Sequence, residues 1–295
     1  MGKKQAQLIH EIHDLWPETL VTIGGMSKRH PFVMLLQRAE NSAYRKSDKV
    51  IGFNEKVKAH CISHGMKDGA FACIPLGVSL EEWEQKNQQK AELSPELEMA
   101  FQTYRKENKF IVGYFGGHAL SNYLESMLQL AEIASTQDRS IQFVLVGNGV
   151  EKQKLIWTAQ EKKLKNISFF DPIPRQKIPQ LLNYFDCVYF AFRKSPLYEK
   201  AGLTPNKVFD AMMAEKPILA CIGDYSSPLD GLSCAFISRQ EHPEETFEQL
   251  LRLKQMSESE RTAMGATGKE AIIERFNYQI NARRFAEVFY ENSIN

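Results

Sequence analysis

The segment Thr204–Asp210, Thr-Pro-Asn-Lys-Val-Phe-Asp, has the residue types and spacing of an anion site at the start of a helix. Thr204 suits an N-cap and Pro205 suits the first helical position, so a helix is predicted to begin there. The free N–H groups of such a start, near Asn206 and Lys207, bind anions together with the positive end of the helix dipole. The lysine adds a full positive charge, so the segment is suited to hold a phosphate group.

Asp210 follows Asn206 and Lys207 at helical spacing, which places its carboxylate on the same face one turn deeper. A carboxylate there can accept hydrogen bonds from two adjacent hydroxyls, as on a ribose. Diphosphate at the helix start and ribose one turn in would together form a nucleotide site. The same spacing also fits a well-capped surface helix with a Lys207–Asp210 pair, and spacing alone favours neither interpretation.

Further loops that could bind a ligand follow strand-like segments. A glycine at the end of a strand lets a ligand approach the backbone closely, and a Pro-x-Pro turn offers rigid backbone and apolar surface for a flat base. Because the carboxyl ends of parallel strands meet at one edge of a sheet, these loops are expected to converge with Thr204–Asp210. They are Tyr114–His118 with Gly116, Gly117 and His118, Val144–Gly149 with Gly147, and Asp171–Arg175 with Pro174 and Arg175.

The elements that must position these loops alternate between apolar runs and amphipathic patterns. This pattern predicts a parallel sheet covered by helices on both faces, a doubly wound α/β domain. The predicted strands are Phe110–Phe115, Ile141–Val146, Ile167–Phe170, Asp186–Phe192, Pro217–Ile222 and Cys234–Ile237. The predicted helices are Leu120–Ser135, Glu151–Lys163, Gln176–Tyr184 and Pro205–Ala214.

The first ninety or so residues show the same alternation with fewer strands, Gln7–Ile12, Val50–Phe53 and Phe71–Ile74, and with helices near Phe32–Lys46 and Glu55–His64. The polar run Glu81–Glu98 is interpreted as a mobile or helical connector outside the core. Three helices are predicted in the tail, with Gly265 and Gly268 weakening the second: Pro243–Gln255, Glu258–Glu274 and Tyr278–Asn292.

Composition excludes several classes of protein. The 37 basic and 36 acidic side chains leave a net charge of +1, so no global attraction to nucleic acid follows. The five cysteines lack metal-ligand spacing, and no cluster of carboxylates or histidines with such spacing was identified, so no metal is expected. Free thiols are typical of a reducing cytosol. No apolar run has the length of a signal peptide core or a membrane span.

Three ordered motifs resemble family 4 glycosyltransferases, more narrowly the bacterial branch that builds O-antigen, capsule and exopolysaccharide. They are Thr204-Pro-Asn-Lys-Val-Phe-Asp-Ala-Met-Met-Ala-Glu-Lys-Pro217, Tyr114-Phe-Gly-Gly-His-Ala-Leu-Ser-Asn122 and Asp14-Leu-Trp-Pro-Glu18. The resemblance covers nearly the whole chain. It implies a GT-B fold with two Rossmann-like doubly wound domains, the first of them incomplete. The expected division is residues 1–92, residues 93–276, and a helix at 277–295 that crosses back to the first domain.

The resemblance also implies roles for single residues. The donor would be a UDP-sugar, bound as a substrate without a further cofactor. Asp210 would bind the ribose, and Gly202 stands where relatives carry a first acidic residue. The diphosphate would lie along Asn206 and Lys207, helped by Gly117 and His118, with Ala119 replacing a family glycine. Arg193 would neutralise the leaving phosphate.

His13 and Asp14 match the histidine–aspartate pair on the acceptor side of the cleft in many relatives. A partly buried structural histidine at a strand end is an equally good interpretation of His13. The resemblance implies retention at the anomeric carbon without a metal. Physically, positive charge and backbone N–H groups would stabilise the departing diphosphate in place of a divalent ion.

Relatives begin with a glycine-rich strand–turn–helix and further strands that have no counterpart before Gln7. Three explanations stay open: a truncated product, a start codon placed too late, or one chain of a split enzyme whose partner supplies the strands. The expected function is transfer from a UDP-sugar to a lipid-linked or saccharide acceptor in cell-surface polysaccharide synthesis. The alternatives are an inactive or partner-dependent nucleotide-sugar-binding fragment and a UDP-sugar 2-epimerase. The expected location is the cytoplasm, either free or peripheral on the inner face of the cell membrane.

Overall fold

The computed structural model describes residues 6–89 and 92–290, in which the strands form two parallel sheets. The first sheet contains β1 (Ile9–Glu11), β2 (Lys49–Gly52) and β3 (Phe71–Cys73), in the order β1-β2-β3. The second has the order β6-β5-β4-β7-β8-β9 and contains β4 (Phe110–Phe115), β5 (Ile141–Val146), β6 (Ile167–Phe170), β7 (Cys187–Ala191), β8 (Ile218–Cys221) and β9 (Ala235–Ser238).

Helices connect and cover these strands. Those of the first part are α1 (Glu18–Thr22), α2 (Pro31–Lys46), α3 (Val57–Ser63), α4 (Leu80–Gln88) and α5 (Pro95–Lys106). The second part contains α6 (Glu125–Gln137), α7 (Lys152–Glu161), α8 (Ile178–Asn183), α9 (Pro196–Ala201), α10 (Asn206–Met213), α11 (Pro243–Gln255) and α12 (Glu258–Arg275). The last described helix is α13 (Tyr278–Tyr290).

The second sheet is doubly wound, as predicted, because its strands are buried on both faces. Every residue of β4, β5, β7 and β8 is buried. One hydrophobic cluster on one face includes Leu128, Leu155 and Leu250, from α6, α7 and α11. The opposite cluster includes Phe209 of α10 and Ile272 of α12. The α/β fold class with parallel sheets is therefore confirmed.

The strand order reverses between β4 and β7, since the chain runs outward from β4 to β6 and then returns to β7. Such a reversal opens a crevice at the carboxyl ends of the two strands, where open α/β sheets bind ligands. The loop that begins at Gly116 follows β4, and the loop that begins at Phe192 follows β7. The fold thus brings the predicted Tyr114–His118 loop and the segment that carries Arg193 to one crevice.

The C-terminal helix α13 packs on the first sheet. Val288 of α13 is buried in a small cluster with Ile51 of β2 and Ile74. The side-chain amide of Asn281 donates to the carbonyl oxygen of Pro75 at 2.7 Å. These two observations show that α13 contacts the part of the chain that contains the first sheet.

The polar segment Glu81–Glu98 was predicted to lie outside the core, and this was wrong. It forms α4 and the start of α5, and Trp83, Leu93 and Leu97 are buried in the same cluster as Phe209. The apolar side chains recur at helical spacing among many charged ones, so the mean polarity of the segment hid its buried face.

Gly265 and Gly268 do not interrupt α12, which is continuous from Glu258 to Arg275. A Cβ at Gly265 would lie 1.8 Å from the carbonyl oxygen of Glu215. The glycines therefore permit close packing of α12 against the end of α10, a requirement that overrides their low helix propensity.

Other boundaries differ by a few residues from the prediction. The segment predicted as one helix from Leu120 begins as a 3₁₀ turn, and Tyr123 adopts a left-handed conformation before α6 starts. A further short helix, α9, was not predicted. The predicted final residue of the tail helix, Asn292, lies outside the described residues.

None of the described helices is long and apolar enough to cross a membrane. The cysteines Cys61, Cys73, Cys187, Cys221 and Cys234 are all free thiols.

Candidate functional site

The start of α10 lies one residue later than the sequence predicted. Pro205, not Thr204, occupies the N-cap position with extended backbone angles, and no side chain caps the helix. The prediction gave Thr204 the capping role, but the proline already sets the extended backbone there. The first backbone N–H groups, those of Asn206 and Lys207, consequently have no acceptor within the helix. Asn206 is exposed at this position, as an anion-binding start requires.

Lys207 is held against the loop that follows β4. Its ammonium group donates to the hydroxyl oxygen of Tyr114 at 2.7 Å and to Oδ1 of Asn122 at 3.0 Å. Tyr114 and Asn122 each donate in turn to the carbonyl oxygen of Gly117, at 2.6 and 2.7 Å. This network fixes a single lysine beside the predicted Gly116–Gly117 turn.

The positive charge of Lys207 is not neutralised by a neighbouring acid. Among the described residues, no carboxylate lies within ion-pair distance of its ammonium group. Burial lowers the pKa of Lys207 to about 7, because a desolvated ammonium ion is costly. An anion bound beside Lys207 would favour the charged form, because its attraction to the ammonium ion offsets the free energy lost by desolvation.

The glycine loops approach each other so closely that side chains would not fit. Gly147 has a φ of +155°, and a Cβ there would lie 1.9 Å from the carbonyl oxygen of Gly116. By contrast, a Cβ on Gly117 would meet no atom within 4 Å. Gly147 therefore serves the packing of the two loops, whereas Gly117 leaves open space in front of the backbone.

That space is part of a pocket of about 210 Å³ at the carboxyl ends of β4, β5 and β6. Its apolar wall comes from Pro172, Ile173 and Ile178, and its backbone wall from Gly116, Gly117 and Gly147. Such a combination suits a flat ring that stacks on apolar surface and bonds to main-chain groups.

His118 is fully buried at the end of this loop, and neither ring nitrogen has a hydrogen-bond partner among the residues that the structure describes. Burial lowers the pKa of His118 to about 4, and the charges of Lys152 and Lys207 contribute. The ring is therefore neutral at pH 7. Unpaired buried polar atoms are rare and commonly mark a place where water or a ligand binds.

Asp210 lies one turn into α10, partly buried. None of the described hydrogen bonds involves its carboxylate, which is free to accept from a ligand. Burial raises the pKa of Asp210 to about 6, while the charges of Arg175 and Lys86 oppose this rise. Arg175, in the 3₁₀ turn that follows Pro174, thus acts on the same site as Asp210.

His13 and Asp14 follow β1 and face the loop that precedes α10. Both residues line a pocket of about 220 Å³ together with Gly202, Thr204 and Tyr198. The His13 side chain is 70% exposed, with Nε2 3.7 Å from Oε1 of Glu11. The pocket joins the first sheet to the start of α10, so the structure brings the predicted acceptor-side pair next to the predicted donor-side helix.

Arg193, after β7, is bound to the neighbouring loop. Its guanidinium forms an ion pair with Glu125 at 2.8 Å, and its Nε donates to the carbonyl oxygen of Leu120 at 3.2 Å. The guanidinium carbon also lies 5.2 Å from the centre of the Tyr123 ring. Lys207 therefore contacts the glycine loop in this structure, while Arg193 supports the turn beyond it.

Sequence reasoning missed Lys152 and Lys86. Lys152 is buried, donates to the carbonyl oxygen of Phe170 at 3.0 Å and pairs with Asp171 at 2.8 Å. Its position soon after Gly147 and Gly149 at a helix start could have indicated it. Lys86 lies in the segment Glu81–Glu98, which was predicted to be a connector outside the core. Nothing in the sequence indicated that its charge would act on Asp210.

Comparison with known proteins identifies a domain in the second part of the chain. Residues 109–255 match the model of the family described as Glycosyl transferases group 1. No curated protein sequence matches this chain.

Among solved structures, HepE of Anabaena in complex with UDP and glucose is 15% identical, with a TM-score of 0.70 over 96% of this chain and 71% of HepE. A mutant of S. aureus TarM in complex with UDP is 16% identical, with a TM-score of 0.67 over 97% of this chain. The chain spans 51% of TarM. Sucrose-phosphate synthase from Thermosynechococcus elongatus is 16% identical, with a TM-score of 0.69 over 97% of this chain and 67% of the synthase. At these identities the likeness shows a shared fold.

Proposed function

We propose that this chain is a glycosyltransferase that takes its sugar from a UDP-sugar. Residues 109–255 match the glycosyl transferases group 1 family model, and the chain has the GT-B fold, which supports the proposal. The donor would lie in the crevice between β4 and β7 and along the start of α10. The observation that carries the proposal is Lys207, a desolvated lysine held beside Gly116 and Gly117, with no carboxylate partner in the described part of the chain.

The parts of the donor are assigned by charge and distance along α10. The diphosphate would lie between Lys207, the first N–H groups of the helix and the open backbone at Gly117. The ribose hydroxyls would donate to Asp210, one turn deeper. The uracil would enter the pocket walled by Pro172, Ile173 and Ile178, near Pro174 and Arg175. Two of the structural neighbours contain UDP, which supports this assignment of the nucleotide.

The transfer breaks the bond between the anomeric carbon and the phosphate oxygen of UDP and forms a bond from that carbon to an acceptor oxygen. The acceptor hydroxyl loses its proton, and the electron pair of the broken bond stays on the diphosphate. Lys207 and the start of α10 stabilise that charge, so the reaction requires no divalent ion at this point. We assign retention at the anomeric carbon, with the acceptor approaching on the face from which UDP departs.

The acceptor would enter through the pocket shared by His13, Asp14 and Tyr198. The His13 imidazole can accept the hydroxyl proton or orient the sugar, and its exposed side chain is accessible to an incoming saccharide. We assign a saccharide or lipid-linked acceptor of cell-surface polysaccharide synthesis.

A peripheral position on the inner face of the membrane agrees with the start of α2. Phe32 and Leu35 are 50% and 62% exposed there, and Lys28 and Arg29 lie exposed just before the helix. Apolar and basic side chains together favour an anionic lipid surface.

The test is UDP release from a panel of UDP-sugars, with and without saccharide or lipid-linked acceptors. Acceptor-dependent UDP release by the chain supports the transferase proposal. Saturable UDP binding without turnover on any donor would instead favour a nucleotide-sugar-binding protein. Absence of UDP binding would contradict both.

A further inference from the structure

Outside the crevice, the structure gathers Glu40 of α2, His60 of α3 and His64 at the end of α3. One donor atom from each of these side chains lies within 4.8 Å of the other two. His60 and His64 are four residues apart, a spacing that places two imidazoles on one helical face and recurs in zinc sites. No metal site was predicted from the sequence, because Glu40 of α2 meets this histidine pair only in the folded chain.

We propose that Glu40, His60 and His64 form a binding site for a transition-metal cation of the Zn²⁺ type. Two imidazoles and one carboxylate are a known ligand set for zinc, with a fourth position left to water or another oxygen ligand.

The carboxylate of Glu40 is already oriented by its neighbours. Its Oε1 accepts from the Tyr44 hydroxyl at 3.0 Å, and its Oε2 accepts from the side-chain amide of Gln37 at 2.7 Å. The side chains of Glu40 and His60 are 8% and 6% exposed. Hydrogen bonds of this kind around a ligand fix its direction and increase metal affinity.

The distance between Glu40 and His60 is close to that of a ligand pair. Nε2 of His60 lies 2.8 Å from Oε1 of Glu40. Two ligand atoms on one tetrahedral zinc ion, each about 2.0–2.1 Å from it, are about 3.3 Å apart. For the ion to replace the shared proton, Nε2 of His60 and Oε1 of Glu40 would therefore have to move apart by only about half an ångström.

The third ligand requires a rotation. The His60 and His64 rings stack with centroids 4.1 Å apart, so the His64 ring must turn until a lone pair points at the ion. Nδ1 of His64 lies 2.8 Å from the carbonyl oxygen of His60 and 3.0 Å from Oγ of Ser63. In the tautomer that donates from Nδ1, the lone pair that could bind the ion is on Nε2. His64 is only partly buried at the end of α3 and lines the adjoining pocket, into which its ring can turn.

The site opens toward a pocket of about 760 Å³ lined by both histidines. The pocket wall also carries four basic side chains and two acidic ones, a net positive charge: Lys28, Arg38, Lys56, Lys200, Glu18 and Glu199. The ion's fourth position would face this basic pocket, which favours an anionic oxygen as the remaining ligand and offsets the repulsion between the cation and these side chains.

The test is calorimetric titration of ZnCl₂ into EDTA-treated protein without an affinity tag. We expect saturable binding of one ion per chain and a higher melting temperature with Zn²⁺. His64→Ala, at a partly exposed position, should lower the affinity by at least about 10- to 100-fold, the loss caused even by removing a hydrogen-bond partner of a ligand. The exposed His242→Ala is the control and should bind as the wild type does.

His60→Gln separates the metal site from a structural pair. Its amide can still donate to Glu40 and maintain the contact between α2 and α3, so the fold should persist while Zn²⁺ affinity falls. Two results would overturn the proposal: no saturable binding by the wild type, or unchanged binding in both His64→Ala and His60→Gln. The latter would assign the ion to other ligands, such as the free thiols.

Discussion

The ammonium group of Lys207, at the start of α10, lies 2.7 Å from the hydroxyl oxygen of Tyr114 and 4.4 Å from the centre of its ring. The two residues are far apart in the sequence and meet because the strand order reverses between β4 and β7. The contact fixes the charge of Lys207 beside the open backbone of Gly117. It links the helix start and the glycine loop, the two parts of the proposed anion site.

Replacing Lys207 by glutamine should weaken UDP binding by about 10- to 100-fold, the loss expected for a hydrogen bond to a charged group. The fold should persist, since glutamine can still reach polar neighbours. Equilibrium titration with UDP measures the effect. Lys165→Gln, an exposed lysine before the amino end of β6, is the matched control and should bind UDP normally.

UDP binding above pH 7 should take up a proton. The pKa of Lys207 is about 7 in the free protein, so much of the lysine is neutral at pH 8. A bound diphosphate favours the charged form and raises this pKa, and the proton comes from the buffer. Calorimetry at pH 8 in two buffers of different ionisation enthalpy measures the uptake. Equal apparent enthalpies in the two buffers, or uptake that persists in Lys207→Gln, would contradict this role.

Gly147→Ala and Gly117→Ala should separate folding from binding. A methyl group on Gly147 would collide with the Gly116 carbonyl, so this variant should lose roughly 1–3 kcal/mol of unfolding free energy. The methyl group of Gly117→Ala meets no protein atom, so its stability should stay within about 0.5 kcal/mol of the wild type. Its UDP affinity should still fall, because the methyl group occupies the space assigned to the diphosphate. Urea unfolding measures the stability and UDP titration the affinity. Normal UDP affinity in Gly117→Ala would contradict the placement of the diphosphate at this loop.

His13→Ala should slow transfer without changing UDP affinity. His13 lines the pocket on the acceptor side and is absent from the pocket at Gly117. Loss of a group that moves a proton lowers turnover by about 10²- to 10⁴-fold. The comparison is acceptor-dependent UDP release against UDP binding, with His242→Ala as control. A parallel loss of UDP binding would indicate a structural role for His13 instead.

Asp210→Asn should make the protein more stable at pH 8 while weakening its binding of UDP. The pKa of Asp210 is about 6 in the folded protein, above its ordinary 3.8. The folded state therefore binds more protons, and stability is lost as pH rises from about 4 to about 6. Asparagine does not ionise, so the variant avoids the loss of unfolding free energy caused by the buried carboxylate, which is roughly 1–3 kcal/mol above pH 6. Urea unfolding at pH 8 and pH 5 should show the larger gain at pH 8.

The sequence alone predicted the central strands well and the side-chain network poorly. The bounds of β4, β5 and β6 agree with the prediction because continuous apolar runs are typical of strands buried on both faces. The six residues of α9 lack enough length for a helical pattern, and the buried side of α4 was masked by its charges. Spacing along one chain could not show that Lys207 meets Tyr114, or that His60 and His64 meet Glu40 of another helix, because both depend on how distant elements pack.

UDP titration of Asp210→Ala tests the central assignment most directly. The proposed site places the ribose hydroxyls on this carboxylate, so the variant should not bind UDP measurably at concentrations that saturate the wild type. It should remain folded, as checked by circular dichroism and urea unfolding. A folded Asp210→Ala protein with wild-type affinity for UDP would contradict the placement of the nucleotide along α10.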